Sequence, residues 1–162
     1  MQQMTLNEKQ KEIIEKIGVL LDSQGMQPAL GRIMGMLMVV PDAEATFEEI
    51  QENLSLSKSA VSYGINILLS LNKIVYKTKP GQRKRYFRIN ISNWEEDMRC
   101  KFDAALGFEE LINEIIAVRG NEVPEFNDVL RELQDFMCFL KREIPVLIKK
   151  YKKIKGLKEG PL

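Results

Sequence analysis

Ser59, Ser62, Tyr63, Asn66 and Ser70 recur at a spacing that aligns them along one side of a helix. Together they offer hydroxyls, a phenol and a carboxamide, and the only charge near them is Lys58 at the start of the run. A merely solvated helix face usually carries Glu and Lys. A row of neutral donors and acceptors suits hydrogen bonding to base edges and phosphates instead. Just downstream, Lys79, Gln82, Arg83, Lys84 and Arg85 cluster around a Pro80-Gly81 turn. From Asn53 to Trp94 there is no Asp or Glu, while Lys58, Lys73, Lys77, Lys79, Arg83, Lys84, Arg85 and Arg88 supply eight positive charges. The whole chain carries only +1, so the rest of it is net acidic. Such segregation of sign is the electrostatic footprint expected of a nucleic-acid-binding element.

The elements that must position these groups are legible around them. Thr46 can cap a helix and Glu49 can reach back to its amide, a capping box, after which Phe47, Ile50 and Leu54 recur at helical spacing. Ser55-Leu56 makes a turn, and Ser57 caps a second helix running to about Leu71 with Val61, Ile65 and Leu68 as its apolar stripe. Two strands follow, Ile74–Thr78 and Arg85–Ile89, joined through Lys79-Pro80-Gly81-Gln82. The pattern predicts a helix-turn-helix with a hairpin wing.

Composition narrows the function. The chain has 162 residues, 44% of them hydrophobic and 29% charged, enough for one core or a small domain with a helical extension. With no histidine, the commonest general base and metal ligand is absent. Cys100 and Cys138 form no C-x-x-C pair, which excludes a recognisable zinc site. They read as two reduced thiols, or as a redox pair if the fold joins them. No Gly-rich phosphate loop, Ser-His-Asp set or paired-carboxylate signature appears, so neither enzymatic activity nor a cofactor is expected. The longest apolar-and-Gly run, Ile33–Val40, falls short of the roughly 20 residues that span a bilayer. MQQMTLNEKQKE lacks the apolar core of a signal peptide, and the expected location is the cytoplasm.

Upstream, Leu6 to about Ser23 reads as a helix with Ile13, Ile17, Leu20 and Leu21 on its apolar side, ended by Gly25. A second helix runs from Pro28 to Val40 before Pro41 stops it. Its glycines Gly31 and Gly35 suit close helix approach. Met26, Met34, Met36 and Met38 read as core filler, with a ligand-accommodating surface as the alternative. Residues 41–45 form a loop. Downstream, one long helix from Asn93 to Val118 is expected, then a break at Gly120–Pro124. A last helix follows from Glu125 to about Ile154, kinked or split at Pro145, and the basic tail from Lys149 is expected to fray. Two long amphipathic helices need a surface to cover their stripes. A second copy of the chain is the natural partner, and an intramolecular helical hairpin is the alternative.

The string T-x-E-E-I-x-x-x-L at Thr46, S-K-S-x-V-S at Ser57, L-x-x-x-x-I-V at Leu69 and the basic P-G-x-R-K-x-Y turn resemble the MarR-type winged-helix regulators. The glycine-spaced PALGRIMGML helix at Pro28–Leu37 is most similar to the GbsR-like branch, named for a regulator of glycine betaine synthesis. The resemblance covers about Gly18 to Ile91. It implies a mainly α (α+β) fold: a winged helix-turn-helix DNA-binding domain over residues 1–92, and long C-terminal dimerisation helices over 93–162. It further implies a homodimeric transcription regulator, most often a repressor, that binds double-stranded DNA and is released by a small-molecule effector. By position, Ser57, Lys58, Ser59, Ser62, Tyr63 and Asn66 face the groove, and Lys79, Gln82, Arg83, Lys84 and Arg85 form the wing. Asn72-Lys73 departs from the family pattern, which commonly has Gly there. A rival reading, a winged-helix module that binds an acidic protein partner, leaves the uncharged helix face without a use.

Overall fold

A computed structural model describes residues 4–156, which divide into two compact units between Ser92 and Asn93. The first unit contains α1 (Glu8–Asp22), α2 (Pro28–Val39), β1 (Ala45–Thr46), α3 (Phe47–Leu54), α4 (Lys58–Ser70), β2 (Ile74–Thr78) and β3 (Arg85–Ile89). The three strands form one antiparallel sheet in the order β1-β3-β2. Ala45 stands opposite Phe87, and Tyr76 stands opposite Phe87 from the other side.

Local chemistry sets these boundaries. Asn7 and Gln10 form a reciprocal capping box at the start of α1, so the helix begins at Glu8, two residues later than the pattern suggests. Leu6 lies outside it, buried, with its amide donating to Asn53 Oδ1 at 3.1 Å. The Thr46–Glu49 capping box forms as expected, with Thr46 N donating to Glu49 Oε2 at 2.7 Å. Ser55 takes a left-handed conformation (φ 50°) that closes α3, and Ser57 Oγ accepts from Ala60 N to open α4. Asn72 also lies at positive φ (54°), a conformation that Asn tolerates. Asn90 secures that turn by donating to the Asn72 carbonyl at 3.0 Å.

The core is built from Ile14, Ile33, Met36, Leu37, Ile50, Val61, Leu68, Ile74 and Phe87. Helices α1 and α2 cross at glycines. A Cβ on Gly31 would sit 3.2 Å from Gly18 Cα, and one on Gly35 would sit 3.3 Å from Ile14 Cα. That crossing turns α1 so that Ile14 and Gly18 face inward, while Ile13 and Leu20, expected on the buried side, are exposed. Met34 and Met36 fill the core as expected, but Met38 is exposed. The stretch expected to be a loop up to Ala45 ends in β1, too short a strand to announce itself in sequence.

The second unit follows a short 3-10 turn at Ile91–Asn93 and contains α5 (Trp94–Leu106), α6 (Glu109–Arg119) and α7 (Pro124–Lys155). The single helix expected over 93–118 is therefore two, interrupted at Gly107-Phe108, where glycine's low helix propensity meets a tight turn from Phe108 O to Leu111 N. Leu106, Ile112 and Met137 are its buried centre. Asn127, also buried, donates to Gly120 O at 2.8 Å and fixes the α6–α7 turn. Helix α7 runs through Pro145 unsplit and extends to Lys155, so the basic segment from Lys149 is helical up to that residue. The remainder of the expected tail, residues 157–162, lies outside the described residues.

Candidate nucleic-acid interface

Capping by Ser57 aims the first turn of α4 outward, and the burial of Val61, Gly64, Ile65 and Leu68 fixes which side remains free. Ser57, Lys58, Ser59, Ser62, Tyr63 and Asn66 are all exposed. Ser57 and Ser59 also share a 3.0 Å hydrogen bond, and Tyr63 Oη accepts from Gln27 Nε2 at 3.4 Å. Among the described residues, Lys58, Ser62 and Asn66 make no side-chain hydrogen bond and are available to a ligand.

The wing residues fall into two groups. An open cleft of about 480 Å³ is lined by Ser62 and Asn66 of α4 and by Arg83, Lys84 and Arg85 of the wing, with Phe47, Ile65 and Phe87 beneath. Here the neutral hydrogen-bonding face meets the cations. Arg85 stacks 4.7 Å over the Tyr76 ring, and Lys84 lies 3.6 Å from Glu48, which lines the same cleft. Arg83 has no ion-pair partner among the described residues.

Lys79 and Gln82 point elsewhere. Lys79 Nζ sits 2.5 Å from Glu44 Oε1 and 3.9 Å from the centroid of the Tyr86 ring. Lys77 meets the other Glu44 oxygen at 2.6 Å. The Tyr86 hydroxyl donates to Gln82 Oε1. Glu44, Lys79 and Tyr86 border a second open cleft of about 460 Å³ with Asn7, Gln10 and Glu49. Hydrogen bonds from Lys77 and Lys79 hold the Glu44 carboxyl below its ordinary range, and the Glu44 carboxylate raises the Lys79 ammonium above its own.

Glu44 and Glu48 are the functional neighbours that sequence reasoning missed. Both lie just outside the acid-free stretch and return to the wing only because β1 pairs with β3. Glu48 stands in the first turn of α3.

The arrangement is a winged helix-turn-helix: mainly α, with α3 and α4 as the helical pair and β2–β3 as the wing. No family model matches the chain. It is 22% identical over 145 residues to the HTH-type transcriptional regulator MmpR5 of Mycobacterium tuberculosis, spanning 90% of this chain and 88% of that protein. A crystal structure of a transcriptional regulator superposes with a TM-score of 0.63 at 21% identity, covering 90% of this chain and 99% of the other, and shares the fold. Wild-type MarR from E. coli, in its apo form, superposes at a TM-score of only 0.40 with 17% identity, over 78% of this chain and 89% of MarR, too loosely to argue from. Among the described residues no helix is long and apolar enough to cross a membrane.

Proposed function

We propose that this chain is a sequence-specific, double-stranded-DNA-binding transcriptional regulator of the MarR type, in its GbsR-like branch, acting as a homodimeric repressor in the cytoplasm. The observation that carries the reading is the cleft in which the uncharged face of α4 stands beside Arg83, Lys84 and Arg85. Lys58 and the wing cations neutralise phosphates and fix position. Ser59, Ser62, Tyr63 and Asn66 read base edges from the major groove. Residues 1–92 form the DNA-binding domain and residues 93–162 the dimerisation region, whose apolar helix faces favour a second copy of the chain. The MmpR5 relative supports a regulatory role, and release by a small-molecule effector rests on the sequence resemblance alone.

The test is fluorescence anisotropy on DNA upstream of the protein's own gene, across a salt series with nonspecific competitor. A log–log salt slope of about −5 to −9 and a specificity ratio above roughly a thousand support the reading. Weak, sequence-blind binding sinks it, and the basic wing then needs an acidic protein partner.

A further inference from the structure

The segment from Glu44 to Glu48 sets one carboxylate in each of the two clefts beside the wing, and the two are held differently. The Glu44 side chain is only 10% exposed and takes Lys77 and Lys79 at 2.6 and 2.5 Å, so it belongs to the fold. Glu48 lies in the cleft that carries Ser62, Asn66, Arg83, Lys84 and Arg85. Its Oε2 is 3.6 Å from Lys84 Nζ, and both side chains are about half exposed.

The start of α3 does not use Glu48 as a cap. Glu49 does that work, its Oε2 accepting from Thr46 N at 2.7 Å and from Thr46 Oγ1 at 2.8 Å. A carboxylate at position 48 suits the helix dipole, but one turned away from the cleft would serve equally. Among the described residues the Glu48 side chain makes no hydrogen bond, and Lys84 is its one ion-pair partner.

A phosphate entering this cleft therefore meets three different cations. Arg83 has no ion-pair partner among the described residues, and Arg85 is stacked on Tyr76. Lys84 is already beside a carboxylate. A half-exposed pair of this length is weak, so phosphate can take Lys84, but only by breaking the pair. The released carboxylate then shares the cleft with a charge of its own sign.

We propose that Glu48 is a built-in competitor of DNA phosphate, withholding Lys84 and lowering the affinity of this surface for DNA of any sequence. The proposal rests on the DNA-binding reading above and adds to it a residue that opposes binding. Its use lies on nonspecific DNA, where binding is almost wholly electrostatic and a lower affinity shortens each encounter.

The test is fluorescence anisotropy of the full chain on a nonspecific duplex and on DNA upstream of its own gene, across a salt series. Wild type, Glu48→Gln, Lys84→Gln and the double variant form a cycle. Glutamine keeps the shape and removes the charge at an exposed site without hydrogen bonds, and urea midpoints check each fold. Glu48→Gln should tighten binding to both duplexes several-fold and leave their affinity ratio unchanged. It should also steepen the salt slope by about 1 per subunit. The gain should be smaller in the Lys84→Gln background, where binding has no pair to break. Equal gains in the two backgrounds mean that binding does not release Lys84, and overturn the proposal. A Glu48→Gln protein that binds no more tightly than wild type overturns it too. So does a changed preference between the duplexes, which would make Glu48 a reader of bases. All three leave the DNA-binding reading standing, whereas a wild-type protein that binds neither duplex overturns both.

Discussion

Glu44 and Lys79 meet at 2.5 Å, carboxylate to ammonium, tying the segment before β1 to the turn of the wing. Lys77 occupies the second carboxylate oxygen at 2.6 Å. This pairing takes two of the eight cations of the acid-free stretch out of the pool available to phosphate. Both lysines lower the Glu44 pKa, so Glu44 stabilises the folded state fully above the unfolded value of about 4.3. That contribution is lost as pH falls through the depressed folded value. Glu44→Gln is expected to cost on the order of 1 kcal/mol at pH 7. The difference from wild type should shrink as pH falls below the ordinary carboxylate range and close once the depressed Glu44 carboxyl of the folded protein is itself protonated. Thermal melts between pH 3 and pH 7 measure this, and a constant offset across the range sinks the assignment.

Arg83 and Asn66 line the same cleft but should fail differently when removed. Arg83→Ala should weaken binding to every DNA sequence alike and reduce the salt slope by about 1 per subunit. Asn66→Ala should leave nonspecific affinity almost unchanged and erase about 1–3 kcal/mol of discrimination at particular base pairs. Anisotropy on a panel of single-substitution operators separates the two. If Arg83→Ala leaves the salt slope untouched, the wing does not reach phosphate.

The elements flanking the site were legible because their signals are local. The Thr46–Glu49 box, the Ser57 cap and the alternation in β2 and β3 each lie within a few residues of what they determine. Helical spacing likewise identified the exposed face of α4. The pairing of Lys77 and Lys79 with Glu44 was not legible, because it requires a two-residue strand to bring residue 44 beside residues 77 and 79. The inward face of α1 was misjudged for a related reason. Hydrophobicity favoured Ile13 and Leu20, whereas the close crossing at Gly18, Gly31 and Gly35 decided the rotation. The break at Gly107 was hidden because an isolated glycine within an amphipathic pattern is tolerated more often than not.

Cys138 is exposed yet should react slowly. Its thiol donates to Glu109 Oε2 at 3.1 Å, and that hydrogen bond raises its pKa by opposing a second negative charge beside the carboxylate. The thiolate is the nucleophile, so alkylation of Cys138 near pH 8 should accelerate several-fold in Glu109→Gln. Rates come from iodoacetamide labelling followed by peptide mass spectrometry in a Cys100→Ser background. Equal rates in the two proteins would show that the carboxylate does not control the thiol.

Gly64 lets α4 lie against α2. A Cβ at this position would stand 2.7 Å from Ile33 Cδ1 and 3.7 Å from Leu30 Cδ1. On an open helix surface, Gly→Ala gains roughly 1 kcal/mol from propensity. Here Ile33 is fully buried, so its Cδ1 can shift only into the surrounding core, and overpacking of this kind costs about 1–3 kcal/mol. Gly64→Ala is therefore expected to lose about 1 kcal/mol net, and also to weaken DNA binding by displacing the face that carries Ser62 and Asn66. Ile33→Val removes the clashing Cδ1 and alone costs roughly 0.5–1.5 kcal/mol through the space it leaves. Combined, the alanine methyl enters that space while the propensity gain is kept, so the double variant should be more stable than either single one. Urea denaturation of the four proteins forms the cycle, and strictly additive costs would show that Gly64 and Ile33 do not meet.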